Sequence, residues 1–145
     1  MTTISDYLGT DHKHCDGLFA AAEEAVAKDN WDDAATGFRS FYNALLHHFS
    51  MEEEVMFPAF ESRTGMRQGP TAVMRSEHSQ MSGLLNRLHD AVTRKDVNAY
   101  LGDADTLLIL MQQHNVKEEQ MLYRMADQAL VSELDEVVAR MRAVA

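Results

Sequence analysis

Two short stretches of the chain carry the same set of side chains able to hold a metal ion. HHFSMEEEVMFP, from residue 47, contains His48, Glu52, Glu53 and Phe57; sixty-six residues on, HNVKEEQMLY contains His114, Glu118, Glu119 and Tyr123 in matching places. On a helix, positions i and i+4 face the same way, so His48 and Glu52 present a nitrogen and an oxygen together, and His114 and Glu118 do the same. One such pair most often lies on a surface. Two pairs on apolar stripes need another explanation, because an unpaired buried carboxylate is very costly and a buried imidazole also needs partners.

The elements that position these groups follow from apolar periodicity. A first helix is expected from near Thr3 or Ser5 to about Lys28, with Leu8, His12, Cys15, Phe19, Ala22 and Val26 on one stripe. AKDN then breaks the helix, with Asp29 or Asn30 as N-cap of the next. A second helix is expected from Trp31 to about Ser62, with its last turn loosened by Pro58; its stripe is Phe38, Phe41, Leu45, His48, Glu52 and Val55. TGMRQGPT reads as the main loop. A third helix then runs from about Thr71 to Arg94 on Met74, His78, Met81, Leu85 and Leu88. A fourth runs from about Val97 to Asp127 on Leu107, Met111, His114, Glu118, Met121 and Met125. SELDEVVARMRAV reads as a short fifth helix. The fold class is all-α: an antiparallel, up-down-up-down four-helix bundle with a short extra C-terminal helix, in one domain over residues 1–145.

Each of the four stripes thus carries a histidine, and two also carry a glutamate. In this topology His12, His78, Glu52 and Glu118 all fall roughly 10 to 15 Å from the same end of the bundle, at about 1.5 Å per residue. His48 and His114 lie one turn deeper. Two carboxylates can each bridge two cations, and four imidazoles can complete the set, two per cation. Such a mixed set suits non-haem iron; ligand type alone also admits zinc, manganese or copper.

Composition narrows the partners. The formal net charge is -10, with 13 Lys and Arg against 23 Asp and Glu, which disfavours nucleic acid and anionic membrane as partners. A single cysteine, Cys15, allows no internal disulfide and fits a reducing compartment. No apolar run approaches the ~20 residues of a membrane span, and MTTISDYLGT lacks the basic and apolar regions of a signal peptide; a cytoplasmic location is expected.

The segments DHKHCDGLF, HHFSMEEEVMFPAFE, TGMRQGPTAVMRSEHSQM and LLILMQQHNVKEEQMLYRMAD together resemble the hemerythrin-like, HHE cation-binding family, over almost the whole chain from Asp11 to Asp127. The resemblance implies a four-helix bundle holding two carboxylate-bridged iron ions, with His12, His48, His78 and His114 as histidine ligands and Glu52 and Glu118 as bridges. It further implies a small diatomic or peroxide ligand: O2, NO or peroxide, bound or reacted with in sensing, storage, or protection from oxidative or nitrosative stress. Two departures stand out. Oxygen-carrying hemerythrins take a fifth histidine from an H-x-x-x-H on the third helix; here Met74 precedes His78 and Ser82 follows it at that spacing. The four-histidine, two-glutamate set is closer to di-iron proteins linked to nitrosative stress and iron-centre repair. Arg124 stands where the family usually repeats the proline seen at Pro58, from which a straighter helix end is expected.

Several residues compete for roles. His14 is the alternative to His12, whose stripe is longer; Glu119 is the alternative to Glu118, at the longer spacing some family members use. His47 and His89 are expected off the site, Glu53 and Glu119 at the surface, Cys15 and the ten methionines in the core, and Tyr7 or Tyr123 as donors near the ligands. A ferritin-like oxidase would need Glu three residues before its histidines, and none of the four has it. The remaining alternative is a metal-free helical module for phosphotransfer or protein interaction, which needs one solvent-facing imidazole or none.

Overall fold

The computed structural model describes residues 1–145 and is all-helical, with no strand. Helix α1 spans Ile4–Ala27. Helix α2, Trp31–Met51, passes through a π-helical turn, Glu52–Met56, into α3, Phe57–Thr64. Helix α4 is Pro70–Arg94. Helix α5, Val97–Lys117, passes through a second π turn, Glu118–Leu122, into α6, Tyr123–Ala129. Helix α7, Leu134–Arg142, closes the chain. The two composite rods and the two plain helices make the four antiparallel members of the bundle. Helix α1 packs on α2 and α5, and α4 packs on the same two.

Sequence sets the ends. Thr3, Asn30 and Asp96 each accept a hydrogen bond from the backbone N–H three residues on, capping α1, α2 and α5. Pro70 lies in the first turn of α4, where its missing N–H costs nothing, and Gly65 ends α3 in the left-handed region at φ 75°. Asp127 of α6 reaches back to the N-terminus of α1, accepting from Ile4 N (2.7 Å) and from Ser5 Oγ (2.6 Å). Its charge suits the positive end of that helix.

The core is split. One apolar cluster, around Phe19, Phe41, Leu85 and Leu107, fills the half near the 28–30 and 95–96 turns. A second, around Leu8, Met56, Phe60, Tyr123 and Val138, fills the half beneath α7. Along α1 the boundary falls between Leu8 and Cys15, along α4 between Met74 and Met81, and from α5 into the second π turn between Met111 and Leu122. The residues between are His12, His78, His114 and Glu118. Helix α7 packs Leu134, Val137, Val138 and Met141 onto α1 and the first π turn. Burial at about 1.5–3 kcal/mol per side chain makes it an integral cover for that end.

The π turns begin at the two glutamates on the inward stripes. In each, the residue after the turn bonds five back instead of four: Phe57 N–H to Glu52 O, and Tyr123 N–H to Glu118 O. Such turns are rare and concentrate at functional sites. Proline is not their cause. Pro58 follows the first, but Arg124 occupies the matching place after the second, and the same turn forms there. The straighter end expected from Arg124 is therefore not found at this turn.

Candidate metal centre

Between the two apolar clusters, six polar side chains from four helices meet with almost no exposure: His12 4%, His48 1%, Glu52 0%, His78 2%, His114 2% and Glu118 0%. All six are the residues singled out from the stripes. Their inward atoms are close. Glu52 Oε1 lies 3.1 Å from His78 Nε2 and 3.5 Å from His48 Nε2. Glu118 Oε1 lies 3.0 Å from His12 Nε2 and 3.2 Å from His114 Nε2. Donor atoms of Glu52, His78, His114 and Glu118 gather within 4.8 Å of one another, and those of His12, His48 and Glu118 do so as a second group sharing Glu118.

Proximity here is not satisfaction. Glu52 Oε1, Glu118 Oε2, His78 Nε2 and His114 Nε2 are buried and make no hydrogen bond. A buried polar atom left unpaired costs about 1–3 kcal/mol. Four in one spot, all nitrogen and oxygen lone-pair donors, have the chemistry of a cation cage. The residues present thus fit metal binding on their own atoms.

Tyr123, from the start of α6, adds a hydroxyl in the middle. It lies 2.7 Å from Glu52 Oε2, 2.9 Å from Glu118 Oε1, 3.1 Å from His12 Nε2 and 3.4 Å from His48 Nε2. One proton cannot serve both carboxylates. Tyr7, by contrast, packs at the edge of the apolar cluster under Arg142.

Without cations the groups share protons unevenly. Burial and the charge of Glu118 push the Glu52 carboxyl up. Burial works against ionised Glu118 as well, but the Glu52 carboxyl and the His114 and His12 rings beside it outweigh burial and hold the Glu118 carboxyl well below the usual range. Burial opposes a charged His12, yet Glu118 and Glu119 raise it to about 9. Burial and the two carboxylates push the Tyr123 phenol well up, so it stays a donor.

Each histidine uses Nε2 inward and Nδ1 outward, and each Nδ1 meets a carboxylate: His12 with Glu119 (2.7 Å), His48 with Asp11 (2.7 Å), His78 with Glu53 (2.7 Å) and His114 with Glu77 (2.8 Å). The surface expectation for Glu53 and Glu119 holds only in part: both side chains are close to half exposed, and both accept a hydrogen bond from a buried ring. Asp11 and Glu77 were not legible in advance, although each directly precedes a stripe histidine.

The other candidates fall away from the site. His14 and His89 are exposed. His47 is half-buried and donates to the Val144 carbonyl (3.1 Å). Cys15 is buried in the apolar cluster, where burial and the charges of Asp11, Asp16 and Glu52 push the thiol up to about 12. No helix is long and apolar enough to cross a membrane. Among known families, the hemerythrin HHE cation binding domain matches residues 3–126. No curated protein and no solved structure matches the chain.

Proposed function

The chain belongs to the hemerythrin HHE cation-binding family, and from that premise we propose that it holds two iron ions and uses them to bind or react with O2, NO or peroxide, in sensing, storage or stress protection. We take the ligands to be His12 and His48 on one side, His78 and His114 on the other, with Glu52 and Glu118 bridging. The observation that carries this reading is the set of four unpaired buried lone-pair donors, Glu52 Oε1, Glu118 Oε2, His78 Nε2 and His114 Nε2, between two apolar clusters. When bound, iron supplies an electrophilic, redox-active centre that the side chains lack.

The chain's own residues do the rest. The four imidazoles and two carboxylates fix the cage before loading, since their rings are already held from outside through Nδ1. Tyr123 keeps a proton beside both carboxylates. Phe49 stacks on His78 at 3.9 Å and Phe57 at 5.7 Å, which keeps water from that half. A metal-free phosphotransfer module needs one solvent-facing imidazole, such as the exposed His14 or His89, and gives no reason for four buried imidazoles to converge with two buried carboxylates.

The test is elemental analysis of protein purified in air, with its absorption spectrum. The reading expects two irons per chain and near-ultraviolet charge-transfer bands that change on addition of NO or peroxide. Protein without iron that also fails to take up two Fe(II) anaerobically would end it.

A further inference from the structure

The four carboxylates outside the histidines form a pattern of their own. Asp11 of α1 accepts from His48 of α2; Glu53 of the first π turn accepts from His78 of α4; Glu77 of α4 accepts from His114 of α5; Glu119 of the second π turn accepts from His12 of α1. Each acid sits beside one of the six inward residues in sequence, yet none braces its own neighbour. Each reaches to the next helix, and the last link returns to the first. All four contacts fall between 2.7 and 2.8 Å.

We propose that Asp11, Glu53, Glu77 and Glu119 are a closed ring of positioning residues that fixes the tautomer and aim of the four histidines, with Asp11 and Glu77 carrying most of the effect. The proposal rests on the cation-binding reading above. An Nδ1–H donated to a carboxylate leaves the Nε2 lone pair facing inward and makes it a better donor to a cation. Because the links cross helices, each ring is tied to a side chain of the neighbouring helix rather than to one of its own. The ranking follows from solvent. The Asp11 and Glu77 side chains are 23% and 21% exposed, whereas Glu53 and Glu119 are 40% and 48% exposed, where water can replace them as acceptors. Glu77 is also tied to Lys117 of α5, a partner the other three lack.

The experiment compares wild type with Asp11→Ala, Glu77→Ala, Glu53→Ala and Glu119→Ala, and with Asp11→Asn and Glu77→Gln, which keep an acceptor oxygen and remove the charge. Two readouts are independent of any activity. Fe(II) and Zn(II) affinity is measured by competition with a chromophoric chelator, and the imidazole N–H signals of the metal-free protein by 15N NMR. Asp11→Ala and Glu77→Ala are expected to weaken cation binding about 10- to 100-fold, with the exposed pair causing smaller losses and the amide variants falling between. In the NMR, Asp11→Ala should disturb His48 on the other helix and spare His12 next door. The ring is refuted if wild type binds the cations and the Asp11 and Glu77 variants bind as tightly, with His48 and His114 signals unmoved. Wild type that binds no cation would instead sink the di-iron reading, leaving the NMR to decide the ring alone. Should the alanine variants fail to fold, Asp11→Asn and Glu77→Gln carry the same comparison.

Discussion

Replacing Glu52 with glutamine separates a carboxylate held for a cation from one held for the fold. Glu52 and Glu118 are both fully buried, but they differ in the metal-free protein. Burial and the neighbouring charge push Glu52 up, which favours its neutral form, and glutamine is the near-isostere of that form. Metal-free Glu52→Gln should therefore melt within about 3 °C of wild type, the shift of a change below about 1 kcal/mol in a chain this long. Glu118 is different: despite burial, its charge is held by Glu52, His114 and His12. Glu118→Gln gives up hydrogen bonds to a charged group, about 1.5–3 kcal/mol, and should melt about 5–10 °C lower. Cations reverse the ranking of Glu52. A ligand at a thousand times its Kd stabilises by about 4.1 kcal/mol, roughly 12–16 °C here. If losing one bridge weakens binding a hundredfold, Glu52→Gln forfeits about 2.7 kcal/mol of that, or about 8–11 °C of the rise. Differential scanning calorimetry with and without Fe(II) under argon, or with Zn(II) in air, reads all of this. The reasoning fails if Glu52→Gln lowers the metal-free melting point as far as Glu118→Gln does, or keeps the full cation-induced rise.

Four further outcomes are expected. His12, at about 9 in the folded metal-free protein against an ordinary ~6.5, binds its proton more tightly folded than unfolded. Its contribution is fully present below about pH 6.5 and is lost as pH rises through about 9, so the metal-free melting point should fall across that window. His114, where burial is outweighed by Glu118, Glu52 and Glu77, acts in the same sense, while Glu52, Glu118, Glu119, Asp16, His48 and Tyr123 are the other titratable groups around His12. Cation uptake at pH 7.5 should then release protons, seen by calorimetry in buffers of different ionisation enthalpy. Tyr100 is fully buried with its hydroxyl unpaired, so Tyr100→Phe should leave stability equal or raise it by up to about 1 kcal/mol; a loss in denaturant melts would show a partner for that oxygen. Cys15, buried and with its thiol pushed up to about 12, should resist iodoacetamide at pH 8 in the native state and react once the chain is unfolded.

Much of this arrangement was legible before any coordinates. Helix limits came within a few residues because caps and breakers such as Asn30, Asp96 and Gly65 act locally. The six inward residues were legible because a histidine or glutamate on an apolar stripe contradicts the stripe, and contradiction of the local pattern marks a site. The bracing acids were hidden for the opposite reason. Asp11, Glu53, Glu77 and Glu119 lie about 100° around the helix from an inward residue, on faces where acids are ordinary, and their partners are on another helix. The π turns were hidden because nothing in propensity distinguishes EEEVM or EEQML from plain helix. The role of Tyr123 was hidden too, since its hydroxyl gains meaning from four atoms on four other elements.

The two halves of the centre are alike in donors and unlike in setting. A step of sixty-six residues carries Asp11 to Glu77, His12 to His78, His48 to His114, Glu52 to Glu118 and Glu53 to Glu119, and the two π turns onto each other. The same step carries Phe57 to Tyr123, Phe49 to Asn115 and Met51 to Lys117. His78 therefore stacks with two phenyl rings, while His12 and His48 share a hydroxyl. Only one of the bracing acids has a lysine. In a buried site, the surroundings decide how strongly a charge is felt and how readily a proton is given up. The duplicated donors make the two halves alike in ligand type; it is the three unduplicated neighbours, Phe49, Tyr123 and Lys117, that give the two halves different surroundings.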